Sequence, residues 1–189
     1  MNKQSVLLPI ALLTGTLSAS AFAANGTVNF NGEVTNATCS IAPQSQNQQV
    51  SMGSVNARSF KNKGDISAPV PFEINLADCI LSGKDASGKD FSFSTATVTF
   101  NGAADTTDNT ALGLTNASSN TSAKGVAIQL RDQQGKVVAI NGNSDFELVP
   151  GSNSIKLQAA YVATGDQSGA TAVQAGQANG TAEFNLQYK

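Results

Sequence analysis

Apolar and polar residues alternate along most of this chain. The alternation covers residues 70–78, 94–101, 126–132, 154–164 and 182–189. A period of two residues is typical of β-strands that bury one face. Shorter stretches at 50–52, 137–141 and 145–149 have the same character, and the sequence shows no convincing helical period. The pattern therefore predicts an antiparallel all-β sandwich or barrel.

Turn-forming residues separate the predicted strands. Residues 132–135 predict a hairpin turn, and Asn141-Gly142 is a strong turn sequence. Residues 84–89, 103–110 and 166–180 predict surface loops because they are rich in small and polar residues. No stretch has the composition of a linker between domains, so the strands are predicted to form one domain.

One alternating stretch, residues 27–35, lies apart from the others near the start of the chain. Val28, Phe30, Gly32 and Val34 share one side of this predicted strand. It precedes the first cysteine, so no disulfide attaches it to the rest of the chain. One interpretation makes it the ordinary first strand of its own domain.

The predicted sandwich lacks a strand at its other end. The last strand runs to Lys189, and no further alternating stretch follows to cover it. An uncovered edge is an aggregation hazard in a secreted protein. In the second interpretation, the front strand of one copy fills the gap in another copy by strand addition.

The first 23 residues have the pattern of a secretory signal peptide. Lys3 provides the positive start, residues 6–17 the apolar region, and Ala21-Phe22-Ala23 a small-x-small cleavage site. The apolar run is too short for a transmembrane anchor, and no second run follows. We expect cleavage after Ala23 and an exported product without direct membrane insertion.

Export decides the state of the two cysteines. Cys39 and Cys79 would meet an oxidising compartment, so a disulfide is expected rather than two free thiols. The bond would close a loop of about 40 residues and stabilise the fold by roughly 3–4 kcal/mol.

Composition excludes several classes of function. The chain has no histidine, which excludes Ser-His and Cys-His nucleophile pairs and zinc sites that contain histidine. A formal net charge of −2 argues against nucleic acid as a partner. A secreted enzyme would need a carboxylate pair or lysine chemistry, and Asp105 and Asp108 in a polar loop are more simply solvated. We therefore predict a protein that is not an enzyme, with no catalytic, cofactor-binding or metal-binding residues.

Six motifs, in this order and with this cysteine spacing, resemble subunits of type 1-like fimbriae that the chaperone–usher pathway assembles. They lie at residues 26–34, 34–39, 72–79, 125–132, 158–165 and 184–188. The resemblance implies an incomplete immunoglobulin-like sandwich that lacks its final strand. A donor strand from a chaperone or a neighbouring subunit would complete it. It also implies a signal peptide at 1–23, an N-terminal extension at 24–35 that serves as donor strand, and a pilin domain at 36–189.

The resemblance implies a structural subunit of a surface fimbria that polymerises by donor-strand exchange and supports cell adhesion. Its partners would be copies of itself or related fimbrial subunits, a periplasmic chaperone and an outer-membrane usher. The product would pass through the periplasm to the cell surface. The alternative is a minor or tip-proximal fimbrial subunit that binds a host glycan.

Two sets of residues are predicted to carry this function. In the donor strand, Val28, Phe30 and Val34 would enter pockets of a groove, and Gly32 would sit where the groove is shallow. Gly26 stands where other subunits have an apolar residue. In the C-terminal strand, the residues expected to contact the chaperone are Phe184, Leu186, Tyr188 and Lys189, the last through its terminal carboxylate. Tyr188 could instead be a terminal core aromatic.

Overall fold

The computed structural model describes residues 27–29, 32, 34, 36–166 and 172–189. The chain divides into two compact units, Met1–Val34 and Thr35–Lys189. In the first unit, the described residues have no regular secondary structure, and Phe30 and Gly26 lie outside the described residues. The second unit contains every strand described below.

Among the described residues of the second unit, the regular secondary structure is almost all β-strand, with one short α-helix, α1, and one short 3-10 helix. In chain order they are β1 (Ser40–Ile41), α1 (Pro43–Gln46), the 3-10 helix (Ala57–Ser59), β2 (Val70–Cys79), β3 (Ser82–Lys84), β4 (Asp90–Ser92), β5 (Thr95–Asn101), β6 (Val126–Asp132), β7 (Val137–Val138), β8 (Asn143–Glu147), β9 (Gly151–Ala163) and β10 (Glu183–Tyr188).

Two antiparallel sheets face each other across the core. One has the order β1-β2-β9-β6-β7 and the other the order β10-β5-β8, while β3 and β4 form a separate hairpin. The rings of Phe72 and Phe100, one from each sheet, meet edge to face with centroids 6.4 Å apart. Fully buried side chains from both sheets fill the space between them, including Ile74, Leu76, Val98 and Leu157. The predicted all-β sandwich is therefore confirmed.

Several predicted elements differ from the structure. Residues 50–52 form no strand, although Val50 and Met52 pack against the core. Within the stretch 137–141, only Val137–Val138 forms a strand, and Ile140 makes an isolated bridge to Phe100. The loop predicted at 84–89 is the turn of the β3–β4 hairpin, which Asp85 closes by accepting backbone hydrogen bonds from Ser87 and Lys89.

A β-bulge near the end of β2 places the second cysteine. The register with β9 shifts between Leu76 and Cys79, and Asp78 adopts a left-handed conformation with φ of 53°. Asp tolerates this conformation better than most residues. The extra residue turns Cys79 into the core, where it forms the predicted disulfide with Cys39. It leaves the side chain of the next residue, Ile80, 63% exposed.

The helix α1 interrupts the pairing along the outer edge of β2. Ser45 in this helix is only 1% exposed, and its hydroxyl accepts a hydrogen bond of 2.9 Å from the Asn75 N–H. Gln48 donates to the same hydroxyl and to the Glu73 carbonyl. Side chains therefore replace the partner strand that β2 would otherwise need here.

Replacing Ser45 with alanine should destabilise the domain. The half-buried Asn75 N–H would lose its acceptor, which costs about 1–3 kcal/mol. Urea unfolding followed by circular dichroism would measure this as a lower midpoint. As a control, Ser59→Ala removes an exposed hydroxyl that donates to the Asn56 carbonyl, and this should change stability by less than about 0.5 kcal/mol. Equal losses in the two variants would contradict the role of Ser45.

Within the described ranges, no helix has the length and apolar character needed to cross a membrane.

Candidate functional site

Within the described part of the chain, the C-terminal strand β10 is paired on one edge only. Its neighbour is β5, with Phe184 opposite Phe100 and Tyr188 opposite Ala96. Lys189 donates to and accepts from Thr95 at 2.9 and 3.1 Å, so this pair exchanges two backbone hydrogen bonds. Hydrogen-bonded pairs alternate along an antiparallel ladder. The ladder therefore also bonds β5 to Gln187, Asn185 and Glu183. The residues between them point their backbone groups away from β5.

The outward-pointing backbone groups belong to Phe184, Leu186 and Tyr188. Among the described residues, no backbone group pairs with their N–H or C=O groups. The same three side chains face the core, yet each remains only half-buried, while their neighbours along β10 are exposed. One set of residues thus presents both an unpaired backbone edge and incompletely covered apolar surface.

The second wall of this opening comes from the chain between Cys39 and Met52. It runs along the outer edge of β2, first as β1 and then through α1. Its half-buried apolar side chains are Ile41, Val50 and Met52, and all three pack against the same core cluster as the side chains of β10. We call the space between β10 and residues 39–52 the open groove.

The two walls lie on the same side of the sandwich. The Tyr188 hydroxyl makes a hydrogen bond with the backbone of Cys39, the residue before β1. Burial raises the pKa of this phenol, and that hydrogen bond lowers it in part. On the opposite side, buried Val138 and Ile140 close the sandwich, with Ile140 bridged to Phe100. The core is therefore closed at the β7–β8 side and open at the β1–β10 side.

Aromatic rings line the β10 wall along its length. Phe184 lies 6.2 Å from Phe100, and Tyr188 lies 6.4 Å from Phe93, measured between ring centroids. Contacts of this kind add about 0.5–1.5 kcal/mol each beyond the area that they bury. They hold the half-buried rings in fixed positions on the groove wall.

Lys189 has a different place from the other predicted residues of the C-terminal strand. Its ammonium group lies 3.4 Å from the Asp145 carboxylate on β8, so the side chain reaches across β5. Hydrogen bonding from the Thr97 hydroxyl, and then the nearby Lys189, lower the pKa of Asp145. Both partners are more than half exposed, and an exposed ion pair contributes little to stability. The Lys189 side chain therefore does not line the open groove.

The described residues of the N-terminal stretch expose their apolar side chains. Val28 is 73% exposed and Val34 is fully exposed. A Cβ atom added to Gly32 would have no described atom within 4 Å. The structure thus shows no contact within the described part of the chain that requires glycine at position 32.

The sequence missed the second wall of the groove. Val50 and Met52 suggested a strand, and Ile41 was not singled out. The position of this wall depends on the hydrogen bonds between the edge of β2 and the side chains of Ser45 and Gln48. These bonds join residues 25 to 30 positions apart. The available signal was Pro43 just before a run of Gln, Ser and Asn, because proline favours the first turn of a helix.

Comparison with known proteins identifies the class to which this half-open sandwich belongs. A model of the family described as fimbrial protein matches residues 28–189. Long polar fimbria protein A of Salmonella typhimurium is 37% identical over 92% of this chain and 90% of its own length. The C chain of type-1 fimbrial protein from Escherichia coli is 37% identical over 87% of this chain and 83% of its own length. A chain from the solved structure of a chaperone-usher pilus covers 91% of this chain and all of its own length, with a TM-score of 0.68 at 23% identity.

The chain therefore belongs to the fimbrial protein family. The predicted family and the predicted immunoglobulin-like sandwich lacking a strand are both confirmed. Fimbrial subunits are exported to the cell surface, where they polymerise with related subunits into pili. The family match points to a structural subunit.

Proposed function

We propose that this subunit joins its neighbours by strand addition, with residues 24–35 of one copy filling the open groove of another. The unpaired edge of β10 carries the proposal. Its outward-facing backbone groups are those of Phe184, Leu186 and Tyr188, so an added strand gains hydrogen bonds and covers the half-buried side chains at once.

The spacing of the extension matches the spacing of this edge. Every second position on one side of the predicted donor strand is taken by Val28, Phe30, Gly32 and Val34, and the core-facing residues of β10 have the same period. Each apolar side chain that becomes buried contributes roughly 1.5–3 kcal/mol. Exposure of Val28 and Val34 in the single chain leaves this free energy available for joining.

The same groove is the proposed binding site of a periplasmic chaperone before assembly. A subunit with an unpaired edge and exposed core is prone to edge-to-edge association. A strand lent by the chaperone would protect it until a neighbouring extension takes the place of that strand at an outer-membrane usher. Residues 1–23 are proposed to direct export and to be removed after Ala23.

Gly32→Leu should slow or block subunit joining. In the proposed arrangement Gly32 meets a shallow part of the groove, where a leucine side chain would clash. The chaperone complex should form in normal yield, because the substitution leaves the subunit's own groove unchanged. Joining would be measured by mixing chaperone-bound subunits and counting detergent-resistant dimers over time.

Asn29→Leu is the matched control for that experiment. Asn29 lies on the other side of the predicted donor strand, so the same added bulk should leave the joining rate close to that of the natural subunit. Normal joining of Gly32→Leu would show that position 32 does not face a shallow pocket. Slow joining of both variants would show that bulk, and not position, decides the rate.

We infer a purely structural role without catalysis. The absence of histidine and the family match both support this inference. The alternative, a minor or tip-proximal subunit that binds a host glycan, stays a prediction. Binding of the strand-complemented domain to a glycan array would favour it.

A further inference from the structure

The domain exposes an apolar patch at the end that carries the disulfide. Ile80 and Val149 are its two most exposed large apolar side chains among the described residues, at 63% and 59%. They lie at the same end of the sandwich because Cys79 pairs with Gly151, two residues after Val149. Together with exposed Pro150, which follows Val149 in the chain, they form what we call the bulge patch.

Local structure holds this patch outward. The bulge at Asp78 turns Cys79 inward and leaves Ile80 on the surface. On the other chain, the Val149 backbone N–H donates to the Asn153 side chain, which donates in return to the Val149 carbonyl. Exposed apolar residues scattered singly are ordinary, whereas a contiguous apolar patch points to a surface that another molecule covers.

The patch borders the point where the N-terminal stretch leaves the domain. The Ile80 N–H donates to the Thr38 carbonyl at 2.9 Å, so Ile80 is bound to the segment that leads back to Val34. Five residue steps separate Val34 from Cys39, and a fully extended chain spans about 17 Å over that length. A copy that holds the extension must therefore have its surface within this distance of the bulge patch.

The patch also lies near the end of the open groove that carries Tyr188. The Phe93 N–H donates to the Leu81 carbonyl, one residue beyond Ile80, at 2.7 Å. The Phe93 ring in turn contacts Tyr188 on the groove wall, with centroids 6.4 Å apart. A backbone hydrogen bond and one ring contact thus connect Leu81, the residue after Ile80, to the groove wall through Phe93.

We propose that the bulge patch packs against a second copy of this chain, namely the copy that accepts its N-terminal extension. This inference rests on the proposed strand addition, because the short connection brings that copy to the patch. It adds a contact between the domain bodies beside the strand in the groove. The joint between two subunits is then held at two places, and the patch restricts how far one body swings relative to the next.

Site-specific photo-crosslinking in assembled fimbriae tests this contact. A photoreactive phenylalanine analogue would replace Ile80 or Val149 in separate variants, and Lys156 in a control. Lys156 is exposed on β9 but lies away from the bulge patch. After illumination and boiling in detergent, a covalent dimer of the subunit is expected from positions 80 and 149 and not from position 156.

Each outcome decides the question. Fimbriae that assemble without a covalent dimer from position 80 or 149, or crosslinks to a different protein, would overturn the inference. If both substituted subunits form chaperone complexes but fail to join, while the position 156 variant joins, the patch is covered on joining and the inference stands. If the proposed strand addition itself is wrong, deleting residues 24–34 will leave assembly intact. That result distinguishes its failure from a failure of the patch contact.

Discussion

A subunit that lacks residues 24–34 is expected to fold with its chaperone and then fail to join onto another subunit. The deletion removes Val28, Phe30 and Val34, the apolar side chains proposed to enter the groove. Its own groove, formed by β10 and residues 39–52, remains intact. The truncated subunit should therefore still accept an extension and cap a growing chain. Mixed with the natural subunit, it should shorten fimbriae in proportion to its share, as measured by electron microscopy.

Two full-length variants test whether joining requires the apolar side chains or only the length of the extension. Replacing Val28, Phe30 and Val34 together with asparagine should abolish joining as the deletion does, because little apolar surface is left to bury. Replacing Asn29 and Asn31 with serine changes only the opposite side of the predicted strand and should leave assembly normal. Long filaments from the truncated subunit alone would rule out the donor strand.

Replacing both cysteines with serine is expected to cause a large loss of domain stability. The disulfide joins residues 40 positions apart, and closing a loop of this size stabilises a fold by about 3–4 kcal/mol. Whole small domains are stable by only about 5–15 kcal/mol. The yield of subunit in the periplasm should therefore fall several-fold, measured by quantitative immunoblotting.

The position of the disulfide makes this effect specific to assembly as well. Cys39 lies beside β1, and its backbone is bonded to the Tyr188 hydroxyl on the other wall of the groove. Loss of the bond should also weaken chaperone binding, whereas Ser154→Ala, which removes an exposed hydrogen bond to Glu73, should affect neither yield nor binding. Unchanged yield of the double cysteine variant would show that the crosslink is dispensable.

Alternating sequence predicted those strands that are long and buried on one face. It found β2, β5, β6, β9 and β10, because their side chains face a shared core at every second position. It missed β3 and β4, where Phe91 is the single apolar position among six strand residues. Strands of three residues are too short for a period to show, and the side chain of Asp85 rather than burial determines their turn.

The sequence predicted only one of the two walls of the open groove, the one formed by β10. The end of β10 and the free extension gave one wall and its proposed occupant from sequence. The other wall depends on Ser45 and Gln48 meeting the edge of β2 and on a bulge at Asp78. Such contacts join distant residues and leave no local period. The exposure of Ile80 and Val149 was not predicted either, because Ile80 lies beyond the predicted strand 70–78 and Val149 is the last residue of the predicted strand 145–149.

The alternation along β10 has a further consequence for the way subunits are spaced. The residues that offer backbone hydrogen bonds at the free edge are also the ones that face the core. A strand added there turns every apolar side chain outward if it slips by one residue. It can shift only in steps of two residues, or about 6.8 Å. The distance between neighbouring subunits can therefore take only discrete values that differ by this step. A filament in which every joint has the same register keeps one repeat along its length.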